Sequence, residues 1–123
     1  MEQLLPFTKH LNEKLTKRMN EKWPGPHTWL VPSSSETPKW LLGPTGLLAL
    51  RLSNHKTVKE LTKSLNMPIC STSANISGKE PAKDSDEIRT FFYDKVHIIE
   101  GKLGGLKKPT PVQNLESKEW LRK

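Results

Sequence analysis

The chain is poor in the residues that build covalent or metal frameworks: one cysteine, one tyrosine and four histidines among 123 residues. Cys70 has no partner for an internal disulfide, and His10, His27, His55 and His97 fall in no HxxxH or CxxC spacing. A structural zinc site is therefore not expected, nor any other protein-bound metal. Long hydrophobic runs are missing too, because charges or prolines interrupt every stretch well short of the ~18 apolar residues of a membrane span. Residues 1–10 lack the basic and apolar regions of a signal peptide. The expectation is a cytoplasmic protein with no membrane partner. No Walker pattern or GxGxxG occurs, and nothing repeats at the ~20–50-residue periods of solenoids.

Apolar content is also low. Hydrophobic residues are 33% of the chain, and even with its 7 glycines it falls short of the ~45–50% of an average globular domain. At 123 residues one domain over 1–123 is expected, with a thin core. Charge is in excess on one side: 20 Lys and Arg against 13 Asp and Glu, net +7. That balance favours polyanions such as tRNA or nucleotides without naming one.

Leu11, Leu15, Met19 and Trp23 recur every fourth residue, which predicts an amphipathic helix over 8–23 that Pro24 must end. Residues 27–31 read as a strand. The run 47–52 (LLALRL) reads as a strand buried on both faces, with Arg51 as its one charge. A second helix is expected over 57–66, capped by Ser53 or Asn54, and a short strand over 67–70. Asp84 introduces a third helix over 85–92; a strand over 96–99, a basic loop over 101–109 and a closing hairpin of 112–115 with 120–121 follow. Alternating helices and strands argue an α/β fold with a mixed sheet.

Three features carry possible chemistry. Residues 71–78 (STSANISG) follow an expected strand and offer hydroxyls, an amide and backbone N–H groups without bulk. That suits phosphate oxygens, and it equally suits a plain capped turn. Arg51 within an apolar strand needs an anionic partner, either a ligand or a structural carboxylate, unless its head reaches solvent from an edge. The turn 24–27 (PGPH) stiffens the entry to Thr28, either to position a site or only to redirect the chain.

In order, WPGPHT (23–28), LALRLSNH (48–55), STSANISG (71–78) and the Pro109-Thr110 pair resemble the YrdC-type threonylcarbamoyl-AMP synthases over essentially the whole chain. The STSANxSG string is specific to that family. The resemblance implies a YrdC-like twisted mixed sheet flanked by helices. It also implies a nucleotidyltransferase that condenses L-threonine, bicarbonate and ATP into threonylcarbamoyl-AMP with release of pyrophosphate, for tRNA threonylcarbamoyladenosine modification. Carried over residue by residue, Ser73 and Asn75 bind ATP, while Arg51, Ser71 and Thr110 bind L-threonine, Arg51 through its carboxylate. Thr28 supports the site from its loop. ATP is a substrate here, accompanied by Mg2+, and no residue is assigned a catalytic role. Thr110 stands where serine is usual, Asn54 replaces an aspartate and Lys56 a proline.

Family members also carry, ahead of the matching region, a Pro-Thr-Glu-Thr-like strand and a Lys-x-Arg pair that grips the triphosphate. Neither occurs in this chain, so the resemblance implies a domain incomplete at its amino-terminal side and inactive by itself. A complementing chain or self-association is then expected. The alternative is a basic nucleotide- or RNA-binding module, with tRNA or double-stranded RNA as partner and no catalysis.

Overall fold

The computed structural model describes all 123 residues. They form two compact units, Met1–Pro68 with Gly104–Lys123, and Ile69–Leu103. No helix is long and apolar enough to cross a membrane.

The first unit is built on a four-stranded mixed sheet in the order β2-β1-β3-β4. Here β1 is Thr28–Pro32, β2 Leu47–Leu50, β3 Val112–Asn114 and β4 Trp120–Arg122. β1 runs antiparallel to β2 and parallel to β3, and β4 returns antiparallel on β3. The expected hairpin at the end of the chain forms. What the sequence pattern did not reveal is the parallel pair at the centre, which joins segments some eighty residues apart.

Helix α1 spans Glu13–Asn20, shorter than the expected 8–23. The Asn12 side chain accepts the Leu15 N–H at 2.9 Å and so starts the helix five residues late. Thr8 instead bridges to Ser33. The apolar stripe survives this trimming, and Met19 and Trp23 drop into the core against Trp29, Val31, Leu48, Leu50 and Leu115. Alternation along β1 and β2 sends those strand residues to one face. Leu48 and Leu50 are buried and Ala49 between them is exposed. The expectation of a strand buried on both faces is thus overturned: α1 covers a single face of the sheet, and β2 pairs with a neighbouring strand on one side, with only an isolated bridge to Leu42 on the other.

Helix α2 spans Lys56–Leu65, begins at His55 and ends at Asn66, which takes left-handed angles at φ 51°. Neither Ser53 nor Asn54 is the cap, although the Ser53 hydroxyl accepts the His55 N–H at 3.1 Å. The second unit holds α3, Ser85–Phe92, which matches the expected bounds because Asp84 accepts the Glu87 N–H at 2.8 Å. Arg89 ties this helix to Glu100 at 3.1 Å and to Asp86 at 3.2 Å. The strands expected over 67–70 and 96–99 do not form. Both segments are extended-type sequence, but a strand needs a ladder partner, and neither has one.

Candidate functional site

Strand register assembles the first group of residues. Trp29 faces Leu50 across β1 and β2, the last pair of that ladder, so Thr28 just precedes it and Arg51 just follows it along the chain. Thr28 faces Val112 on the other side, and Val112 faces Arg122. Thr28, Val112 and Arg122 therefore occupy one row across the end of the sheet, and Arg51 follows the last paired residue of β2 at that same end. The Thr28 hydroxyl lies 3.2 Å from the Thr110 hydroxyl. Two bonds to backbone carbonyls fix that contact: Thr28 N–H donates to the Pro111 carbonyl at 3.0 Å, and the Arg122 side chain donates from Nε to the Thr110 carbonyl at 2.8 Å.

Arg51 sits just past the end of β2 and is exposed. It makes no ion pair; both salt bridges of the chain belong to Arg89. The expectation of a guanidinium buried within an apolar strand is corrected, and a structural ion pair is not what holds it. Its five donors face solvent and suit a planar anion. Arg122 was not singled out from sequence. The signal was there in principle, since an arginine closing a short strand opposite Val112 must share that row once the hairpin and the parallel pair are both known.

The turn before β1 is tightly held. Gly25 N–H donates to the Leu52 carbonyl at 2.8 Å, and the Trp23 indole donates to the His27 carbonyl at 2.8 Å. A Cβ on Gly25 would meet the Lys22 carbonyl oxygen at 2.7 Å, too close for any side chain. Gly25→Ala should therefore destabilise the first unit by about 1–3 kcal/mol, as overpacking does. A urea midpoint unchanged from wild type would contradict this. A groove of about 400 Å³ is lined by Leu30, Thr45, Leu47, Asn114, Glu119, Trp120 and Leu121.

Ser71, Ser73 and Asn75 lie in the second unit. The loop is braced by Asn75, whose Nδ2 donates to the Ile76 and Lys79 carbonyls at 3.1 and 3.0 Å and whose Oδ1 accepts from the Ser73 hydroxyl. Ala82 N–H closes the turn on the Ala74 carbonyl at 2.8 Å, and Gly78 supplies a φ of 79° that other residues rarely adopt. Asn75 is half-buried while Ser71, Thr72 and Ser73 are exposed. The amide thus shapes the loop with the Ser73 hydroxyl bound to it, and the exposed hydroxyls of Ser71 and Thr72 are the groups free to meet a ligand. No group of three or more His, Cys, Asp or Glu residues is placed to hold a metal ion.

Residues 1–123 match the Sua5/YciO/YrdC family model, described as "Telomere recombination". The threonylcarbamoyl-AMP synthase of Photorhabdus laumondii is 42% identical over 123 residues, 98% of this chain and 65% of that protein. That of Pseudoalteromonas atlantica is 39% identical over 122 residues, again 98% of this chain and 65% of the relative. The chain thus spans 65% of the length of each. Among solved structures, the crystal structure of P. abyssi Sua5 complexed with L-threonine superposes with a TM-score of 0.84 at 30% identity, covering 95% of this chain and 35% of that one.

Proposed function

Since the chain belongs to the Sua5/YciO/YrdC family, we propose that residues 1–123 are the part of an ATP-dependent threonylcarbamoyl-AMP synthase that receives L-threonine and the ATP phosphates. The observation that carries this reading is Thr28, in hydroxyl contact with Thr110, and Arg51, on either side of the last β1–β2 pair at the end of a mixed sheet. An unpaired guanidinium beside two neutral hydroxyls fits an amino acid: the carboxylate meets Arg51, and Thr28 and Thr110 are placed for its polar groups. A Sua5 structure that contains L-threonine supports the same substrate.

In this reading the threonine amine and bicarbonate give a carbamate with loss of water. A carbamate oxygen attacks the α-phosphorus of ATP, the bond to the β-phosphate oxygen breaks, and pyrophosphate leaves. Such a reaction asks the protein mainly for positioning and charge stabilisation. Arg122, with Nε already committed to Thr110, keeps its terminal nitrogens for phosphate charge. In the second unit, taken by itself, the Ser71 and Ser73 hydroxyls would meet substrate oxygens, in a loop that Asn75 braces. Mg2+ enters with the triphosphate as part of the substrate; the donors here are hydroxyls, an amide and guanidiniums, which hold anions rather than the ion itself. The uncharged part of the nucleotide has room in the groove beside Leu30 and Leu47. The product serves tRNA threonylcarbamoyladenosine formation in the cytoplasm.

The test is threonine-dependent pyrophosphate release from ATP and bicarbonate, measured on the chain alone and on the chain joined to the remaining third of a relative. Activity in the joined form supports the reading, and its absence there, in a folded protein, contradicts it. In the active form Ser73→Ala should cost about 1.5–3 kcal/mol of transition-state stabilisation, the range of a hydrogen bond to a charged group, or roughly tenfold to a hundredfold in rate. Unchanged kinetics would take that hydroxyl out of the mechanism. A second reading rests on the net charge of +7: a nucleotide- or RNA-binding module without catalysis. Salt-sensitive binding with no threonylcarbamoyl-AMP from the joined form would favour it.

A further inference from the structure

His27 precedes Thr28 and turns to the packed face of the sheet, where it is 5% exposed. Its ring centroid lies 4.3 Å from that of Trp29 and 5.8 Å, edge on, from that of Trp120. Its Nε2 is buried without a hydrogen-bond partner. Trp120 opens β4, which is otherwise held by its short ladder with β3 and, just before it, by the Asn114 N–H donating to the Glu119 carbonyl at 2.8 Å. All three of its residues are exposed, and it meets β3 in two register pairs separated by an irregularity. An edge strand this short frays readily. Yet the hydrogen bond from Arg122 to the Thr110 carbonyl exists only while β4 is docked.

We propose that His27 is a positioning residue: its neutral ring clamps Trp120, keeps β4 on the sheet and thereby holds Arg122 against Thr110. The clamp works because a neutral imidazole is at home between two indoles, whereas an imidazolium would have to regain water. The groups around it agree. Burial pushes the His27 pKa below the ordinary 6.5, the Lys22 ammonium beyond α1 adds to that, and a hydrogen bond with the Gln113 side chain on β3 opposes it. The charged residues beside Trp120 are Glu119, which precedes β4, and Arg122, which ends it, and neither contributes to the lowering. With the docked pKa below the free one, docking is at full strength above pH 6.5. It weakens as pH falls, because the undocked state takes up the proton first.

The link from the clamp to catalysis rests on the function proposed above; the docking of β4 does not. The experiment follows the Arg122 Nε–H and Trp120 indole N–H resonances of the full chain by NMR from pH 8 to pH 5. Both should move together toward undocked positions below pH 6.5. His27→Phe, which keeps an aromatic clamp without a proton to gain, should abolish that titration while retaining the docked positions at pH 8. Resonances that stay put in wild type, or titrate alike in His27→Phe, would overturn the inference. Should His27→Phe fail to fold, Trp120→Leu serves instead: Arg122 should then be undocked already at pH 8, and an Arg122 signal still at its docked position would refute the clamp. An acid transition that His27→Phe abolishes, in a protein that makes no threonylcarbamoyl-AMP, would keep the clamp and reject the proposed function.

Discussion

Arg51→Ala should raise the threonine KM by roughly tenfold to a hundredfold in the catalytically active form while leaving the KM for ATP close to wild type. The size follows from ~1.5–3 kcal/mol for a hydrogen bond to a charged group, with each ~1.4 kcal/mol a factor of ten. The selectivity follows from where Arg51 stands, one strand away from Thr28 and exposed, with no protein carboxylate to share it. Arg51→Lys should recover only part of the loss, since an ammonium keeps the charge but cannot grip a carboxylate at two points. Thermal stability separates this role from a structural one. A side chain with no protein partner contributes little to the fold, so both variants should melt near wild type. A marked drop in Tm with an unchanged threonine KM would show that Arg51 serves the sheet instead.

The same residue shows how far the sequence could be read. Arg51 was conspicuous because an apolar run surrounds it, and the argument from burial pointed to an anionic partner. The structure removes the burial, since Ala49 is exposed and β2 is covered on one face, and gives Arg51 no protein carboxylate. Local chemistry was the legible part: Asp84 sets the start of α3, Pro24 stops the chain before it can extend α1, and β3 and β4 pair across a short turn. Asn12 was missed as a cap because the four-residue stripe runs through it. Long-range pairing was not legible. Nothing near Thr28 indicates that Val112 will lie beside it, and so neither the Thr28–Thr110 contact nor the place of Arg122 could be foreseen. Segments 67–70 and 96–99 misled for the complementary reason: apolar, strand-favouring residues say that a segment is willing to extend, and a neighbouring strand decides whether it does.

Trp23→Ala is expected to have the largest effect on stability, sufficient to unfold the first unit at ordinary temperatures. Removing a buried indole costs about 3–5 kcal/mol in lost transfer energy and cavity, and Trp23 is 5% exposed within the cluster formed by α1 and the sheet. Its Nε1 also donates to the His27 carbonyl at 2.8 Å. Without that donor the carbonyl is left buried and unsatisfied, a further ~1–3 kcal/mol. Whole domains are stable by only ~5–15 kcal/mol. Only nine hydrophobic residues are buried in the whole chain, so few neighbours are available to close the cavity. Trp23→Phe should be milder, because it fills most of the space and forfeits the hydrogen bond alone. Urea denaturation followed by far-ultraviolet circular dichroism checks both. A loss below ~1 kcal/mol for the alanine variant would place the weight of the fold elsewhere. The consequence for function is direct, since the carbonyl that Trp23 holds belongs to the residue before Thr28, and a loosened turn there displaces the hydroxyl that faces Thr110.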